Sequence, residues 1–106
     1  MSFTAINLHI VFSTKDRRPF LKGELLGRVC QYIDGVARNH NSYVIAYGGM
    51  PDHVHMACRV APTIAVSALL QKMKGDSSKW VHAEFPNLGT FQWQDGYSAF
   101  SVSPSV

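Results

Sequence analysis

The chain is poor in cysteine, in charge and in long apolar runs. Cys30 and Cys58 stand far apart among 106 residues and fit no metal or redox spacing, so two buried, reduced thiols are expected. Charged residues make up only 16%, against 46% hydrophobic, an ordinary globular balance that excludes disorder. The apolar stretch from Ile6 to Phe12 is broken by Asn7 and His9 and is too short for a signal or membrane segment. With no basic leader before it, a cytoplasmic protein without a membrane partner is expected. Internal repeats, linkers and low-complexity segments are absent, and the length predicts one domain over 1–106 with one modest core. Acidic residues are outnumbered 7 to 10, and the resulting charge of +3 is a mild lean toward polyanions that many small enzymes share.

What is present is a regular alternation of patterns. Ile6, Leu8, Ile10 and Phe12 share one face of a strand predicted over 4–13, with Asn7, His9, Val11 and Ser13 on the other. Thr14 to Pro19 reads as a basic turn. Leu25, Leu26, Val29, Cys30, Ile33, Val36 and Ala37 recur at helical spacing within a helix predicted over 21–39. A second strand is predicted over 42–46, with Gly48-Gly49 as the turn, and a third over 52–60. A second helix starts at Pro62-Thr63 with Thr63 as N-cap, and carries Val66, Leu69, Leu70, Met73, Ser77, Trp80 and Val81 on its inner stripe. After a loop over 84–90, Gln92 to Val102 reads as the fourth strand. The order β-α-β-β-α-β predicts an α+β, ferredoxin-like antiparallel sheet with two helices on one face.

His53-Val54-His55, entered through Met50-Pro51-Asp52, is the most informative stretch. Residues two apart in a strand share a face, so the two imidazoles project together with Cα atoms roughly 6.6 Å apart. Two such rings can lean onto one divalent ion with metal–nitrogen distances of about 2.1 Å; two solvated histidines on an exposed strand have the same spacing. In the predicted topology the first and third strands are neighbours, which puts His9, His53, His55 and Arg59 on one open face. Asp52 is either a direct or outer-sphere ligand or an ordinary turn residue.

Three segments carry a family resemblance: Phe12 to Phe20 (FSTKDRRPF), Met50 to His55 (MPDHVH) and Trp93 to Ser103 (WQDGYSAFSVS). In order and spacing they resemble the Y1 transposases of the IS200/IS605 insertion sequences, and the resemblance covers essentially the whole chain. It implies a histidine–hydrophobic–histidine endonuclease that binds single-stranded DNA with hairpin ends and acts as a homodimer. Its reaction is cleavage and rejoining by transesterification through a tyrosine, and it takes no small-molecule substrate. It further implies that His53 and His55 hold magnesium or manganese, which polarises the scissile phosphate. From their place on the strands and turn, His9, Asp52 and Arg59 are candidate accessory groups, with a structural role the plainer account of His9. Imidazole is a softer ligand than magnesium prefers, which favours manganese, cobalt or nickel.

The same resemblance places the nucleophilic tyrosine, and a glutamine one turn later, on a helix after the last strand. Ser103-Pro104 reads as a helix start, and the sequence ends at Val106, so neither residue has a position here. The expectation is a family core lacking its catalytic helix and inactive alone. Tyr97 is the remaining candidate nucleophile, and a packing or base-stacking aromatic is the plainer account of it. Lys15, Arg17, Arg18 and Lys22 near the first turn, with Lys72, Lys74 and Lys79 on the second helix, are candidate phosphate contacts in that context. Two alternatives stay open: a catalytically dead hairpin-binding or transposition-inhibiting short form, and an unrelated ferredoxin-like metal enzyme with a closed pocket near His9, His53 and His55.

Overall fold

The computed structural model describes residues 5–101. Four strands, β1 (Ile6–Ser13), β2 (Tyr43–Met50), β3 (His53–Val60) and β4 (Ser98–Ser101), form one sheet in the order β2-β3-β1-β4. The neighbouring strands are all antiparallel. Helices α1 (Leu25–Arg38) and α2 (Val66–Glu84) are the crossovers. This is the α+β arrangement that the strand and helix periodicities predict.

Burial follows the alternation except at Ile6, which stands exposed at the start of β1. Leu8, Ile10 and Phe12 of β1 and Val54, Met56, Cys58 and Val60 of β3 are buried. They share one cluster with Leu25, Val29, Ile33 and Val36 of α1 and Leu69, Leu70, Met73 and Val81 of α2. Both helices therefore cover one face, and the intervening residues of β1 and β3 stay partly open on the other. Phe91 and Trp93 enter the same core from the segment after α2. Ser77, the polar member of the inner stripe of α2, accepts the indole N–H of Trp93 at 3.0 Å.

Several boundaries move, each for a local reason. Helix α1 begins at Leu25 rather than Leu21, because the Leu21 amide is spent on the Pro51 carbonyl at 2.9 Å and Gly23 turns left-handed at φ +60°. Helix α2 begins at Val66 with Ala65 as N-cap, not at Thr63, and Ile64 packs against the core within the preceding turn. Gly48 and Gly49 are not the turn: β2 runs through them to Met50, and the chain reverses at Pro51-Asp52. Their role is close approach, since a Cβ at Gly49 would lie 2.4 Å from the His53 carbonyl oxygen. The last strand is interrupted. Gln92–Gln94 pairs with the end of β1 through Lys15 N–H to Gln92 O (2.9 Å) and Gln94 N–H to Ser13 O (2.8 Å). Gly96 then bends the chain at φ +80°, and β4 resumes at Ser98. The Lys74 ammonium fastens that bend by donating to the carbonyls of Gln94 and Gly96. The predicted end of the strand at Val102 and the helix start at Ser103-Pro104 lie outside the described residues.

Candidate metal and nucleic-acid site

Register places the open-face residues of β1 and β3 opposite one another: Ser13 with His53, Val11 with His55, His9 with Ala57 and Asn7 with Arg59. On the other side of β3, Met50 faces His53 and Gly48 faces His55. The His53 and His55 rings lie 6.2 Å apart between centroids, and His9 stacks on His55 at 5.5 Å. His55 thus stands between the other two imidazoles. Its ring occupies the space a side chain at Gly48 would need, for a Cβ there would meet Cε1 at 3.1 Å. Arg59 reaches Asn7 at the far end of the strand pair, four residues from His55.

Asp52 is bonded on both sides. One carboxylate oxygen lies 2.9 Å from Nδ1 of His53, and the other accepts from Nε of Arg17 at 3.1 Å. The His53 hydrogen bond, followed by that from Arg17, holds the Asp52 carboxyl below its ordinary range. The turn that presents Arg17 is unusual, because Asp16 and Arg17 are both left-handed at φ +56° and +55°. A non-glycine residue in that region costs roughly 1–2 kcal/mol, whereas an exposed ion pair contributes about 0–1 kcal/mol. The strain is held by the frame around it. The Thr14 amide donates to the Asp52 carbonyl (3.0 Å), the buried Thr14 hydroxyl to the Arg18 carbonyl (2.7 Å), and the Arg17 amide to the Thr14 carbonyl (3.0 Å). The β1–α1 turn and the β2–β3 turn are one stapled unit.

As a donor set, two imidazoles suit a borderline divalent ion such as manganese, cobalt or nickel better than magnesium. Holding one ion between them would require the two rings to approach from their 6.2 Å separation. Among the described residues no group of three or more His, Cys, Asp or Glu side chains is placed to hold a metal. His53 and His55 therefore fit two corners of a coordination sphere and require water, substrate or further ligands for the rest.

The basic residues divide between surfaces. Lys15, Arg17, Arg18 and Lys22 are exposed on the turn beside the histidine pair, with the Arg18 guanidinium 4.9 Å over the Phe20 ring. Lys72 and Lys79 are exposed on α2, in the layer across the sheet from the histidines. Lys74 differs from both groups, since its ammonium is bonded to two carbonyls and partial burial lowers its affinity for the proton. Lys15 and Lys74 line one polar cleft with Ser78, Gln92, Gln94 and Asp95. Tyr97 is exposed at the rim, lining one cleft with Val11 and Ser13 and another with Ser67 and Gln71 of α2. The other tyrosines are elsewhere: Tyr32 stacks on Trp80, Tyr43 pairs with Arg59, and Tyr47 sets its hydroxyl against Gly27 of α1.

The profile of the family described as IS200-like transposase matches residues 2–105. The chain belongs to that family. It is 26% identical over 106 residues to the ISDra2 transposase TnpA of Deinococcus radiodurans, covering 95% of this chain and 76% of that one. It is 30% identical over 80 residues to the IS200 transposase of Salmonella typhimurium, covering 76% of this chain and 53% of the relative. The match to the IS200 relative thus spans about half of that protein. Among solved structures, a Deinococcus radiodurans crystal structure described as a transposase superposes with a TM-score of 0.87 at 23% identity, covering 96% and 82% of the two chains. A REP-associated tyrosine transposase bound to a REP hairpin superposes at 0.69 and 16% identity, covering 99% and 61%. Both solved structures thus share the fold of this chain. No helix among the described residues is long and apolar enough to cross a membrane.

Two contributors escaped the sequence reading. Gly48 matters because it admits the His55 ring, and Thr14 because it joins the two turns. Glycine inside a strand pattern was the available signal for the first. For Thr14 there was none, since its partners come from residues distant in sequence.

Proposed function

We propose that this IS200-like transposase binds single-stranded DNA with hairpin ends, and cleaves and rejoins it by transesterification. The observation that carries the reading is the pair His53 and His55 on the open face of an inner strand, beside an exposed basic turn. His53 and His55 hold the divalent ion, manganese or magnesium, which supplies charge neutralisation at the scissile phosphate. Lys15, Arg18 and Lys22 dock the DNA backbone next to that face, with Lys72 and Lys79 as a second, weaker contact across the layer. Phosphate contacts of this kind position the strand without reading its bases. The attacking group is a tyrosine hydroxyl, which displaces the 3′ oxygen and becomes joined to the 5′ phosphate. The working unit is a homodimer in the cytoplasm. The hairpin-bound structure of a similarly folded transposase supports the choice of ligand.

One observation favours the second reading, a hairpin binder without chemistry: Tyr32, Tyr43 and Tyr47 are engaged elsewhere, and Tyr97 lines its cleft with Val11 and Ser13, across β1 from the histidine pair. A single experiment separates the two. The protein is incubated with hairpin-bearing single-stranded DNA and manganese, and covalent protein–DNA product is sought by denaturing electrophoresis. An adduct lost in His53→Ala and His55→Ala supports the enzyme. Hairpin binding with no adduct supports the binder, and an adduct abolished by Tyr97→Phe makes Tyr97 the nucleophile. Absence of hairpin binding overturns both.

A further inference from the structure

We infer that Arg17 and Asp52 act as positioning residues that lock His53 in one tautomer, with the ring proton on Nδ1 and the Nε2 lone pair as its metal-binding atom. The inference rests on the metal reading of the histidine pair and goes beyond it by assigning the atom that binds and the groups that select it. An ionised carboxylate can only accept hydrogen bonds. With Asp52 ionised at neutral pH, the 2.9 Å contact to Nδ1 of His53 requires the proton to sit on that nitrogen. The second carboxylate oxygen accepts from Nε of Arg17 at 3.1 Å, so the carboxylate is held from both sides and turning it away from the ring breaks a contact.

Two features indicate that this chain is built rather than incidental. Arg17 reaches Asp52 from a left-handed backbone next to a second left-handed residue, Asp16. Asp52 is fixed in turn by its own carbonyl, which receives the Thr14 amide. A carboxylate on the distal nitrogen of a ligating histidine orients the ring and raises its basicity, and losing such a partner typically weakens metal binding by about 10–100-fold. His55 has no carboxylate at hydrogen-bond distance among the described contacts; its ring is set by packing against His9 and Gly48. The two ligands are thus positioned by different means, one by a hydrogen-bond chain and one by shape.

The test reads the tautomer directly, by long-range nitrogen–proton correlation spectra of the metal-free full chain at a pH where the imidazoles are neutral. In the unsubstituted protein His53 should appear as the Nδ1-protonated form, and in Asp52→Ala it should shift toward the Nε2-protonated form. Arg17→Ala should leave the preference in place but lower the population of the locked form. An Nε2-protonated His53 in the unsubstituted protein overturns the inference, and so does a tautomer unchanged by Asp52→Ala. If Asp52→Ala does not fold, the spectrum of the unsubstituted protein decides alone. Manganese titration by calorimetry forms a separate arm. A fall of about tenfold or more in Asp52→Ala supports the inference, and equal affinity in the two proteins overturns it. If the unsubstituted protein takes up no manganese, the metal reading falls while the tautomer spectrum still judges the lock.

Discussion

The imidazole of His55 fills the space above Gly48 on the neighbouring strand, within 3.2 Å of where a Cβ would stand at both Cε1 and Nε2. Gly48 has no left-handed torsion that would forbid a side chain. Gly48→Ala should therefore fold and shift the ring, weakening manganese binding with little change in unfolding midpoint. Gly49→Ala is the contrast, because its Cβ would strike the His53 carbonyl at 2.4 Å and only backbone movement relieves it. Calorimetry and thermal unfolding on the pair should separate a change in the site from a change in the fold.

Ser77→Ala should destabilise the protein by about 1–3 kcal/mol, the usual effect of leaving a buried donor without its acceptor. The donor is the indole N–H of Trp93, 3.0 Å from the Ser77 hydroxyl inside the core. Urea unfolding measures the loss. An unchanged midpoint would mean that the indole finds another partner.

Cys30 and Cys58 should resist alkylation in the folded protein at pH 8 and react fully once it is unfolded. Burial pushes both thiols up to about 12, so almost no thiolate exists to attack the reagent. Mass spectrometry after iodoacetamide treatment, with and without denaturant, gives the count.

Charge removal should have unequal effects on DNA binding. Replacing Lys15 and Arg18 together by alanine should flatten the log–log salt dependence of binding to a paired hairpin stem by roughly two units, given about −0.9 per neutralised phosphate. Lys74→Ala should leave the slope nearly unchanged, since its ammonium is already bonded to the Gln94 and Gly96 carbonyls. It should instead loosen the bend before β4. Fluorescence titrations across a salt series test both claims.

The layered architecture was legible because alternation in β1 and β3 and the helical stripes of α1 and α2 are strong periodic signals. The shared face of His9, His53 and His55 followed from that alternation once β1 and β3 were taken as neighbours. The errors gathered where long-range contacts override local propensity. Gly48-Gly49 reads locally as a turn, yet both residues are extended because β3 must approach closely. Gln92 to Val102 reads as one strand, yet Lys74, some twenty residues away, captures two of its carbonyls and bends it. Phe91 and Trp93 carried no periodic signal, and their burial depends on a gap between the sheet and α2 that only the assembled fold creates.

His53 and His55 ride on a strand that has a hydrogen-bonded neighbour along both edges, β2 on one side and β1 on the other. Amides in such a position exchange with solvent only when the sheet itself opens, whereas edge strands and turns fray at much smaller free energies. The backbone beneath the histidines should therefore rank among the slowest-exchanging parts of the molecule, slower than the exposed turn beside them. The strand positions that carry the two imidazoles should then stay in register through local openings of the turns, and part only when the sheet opens.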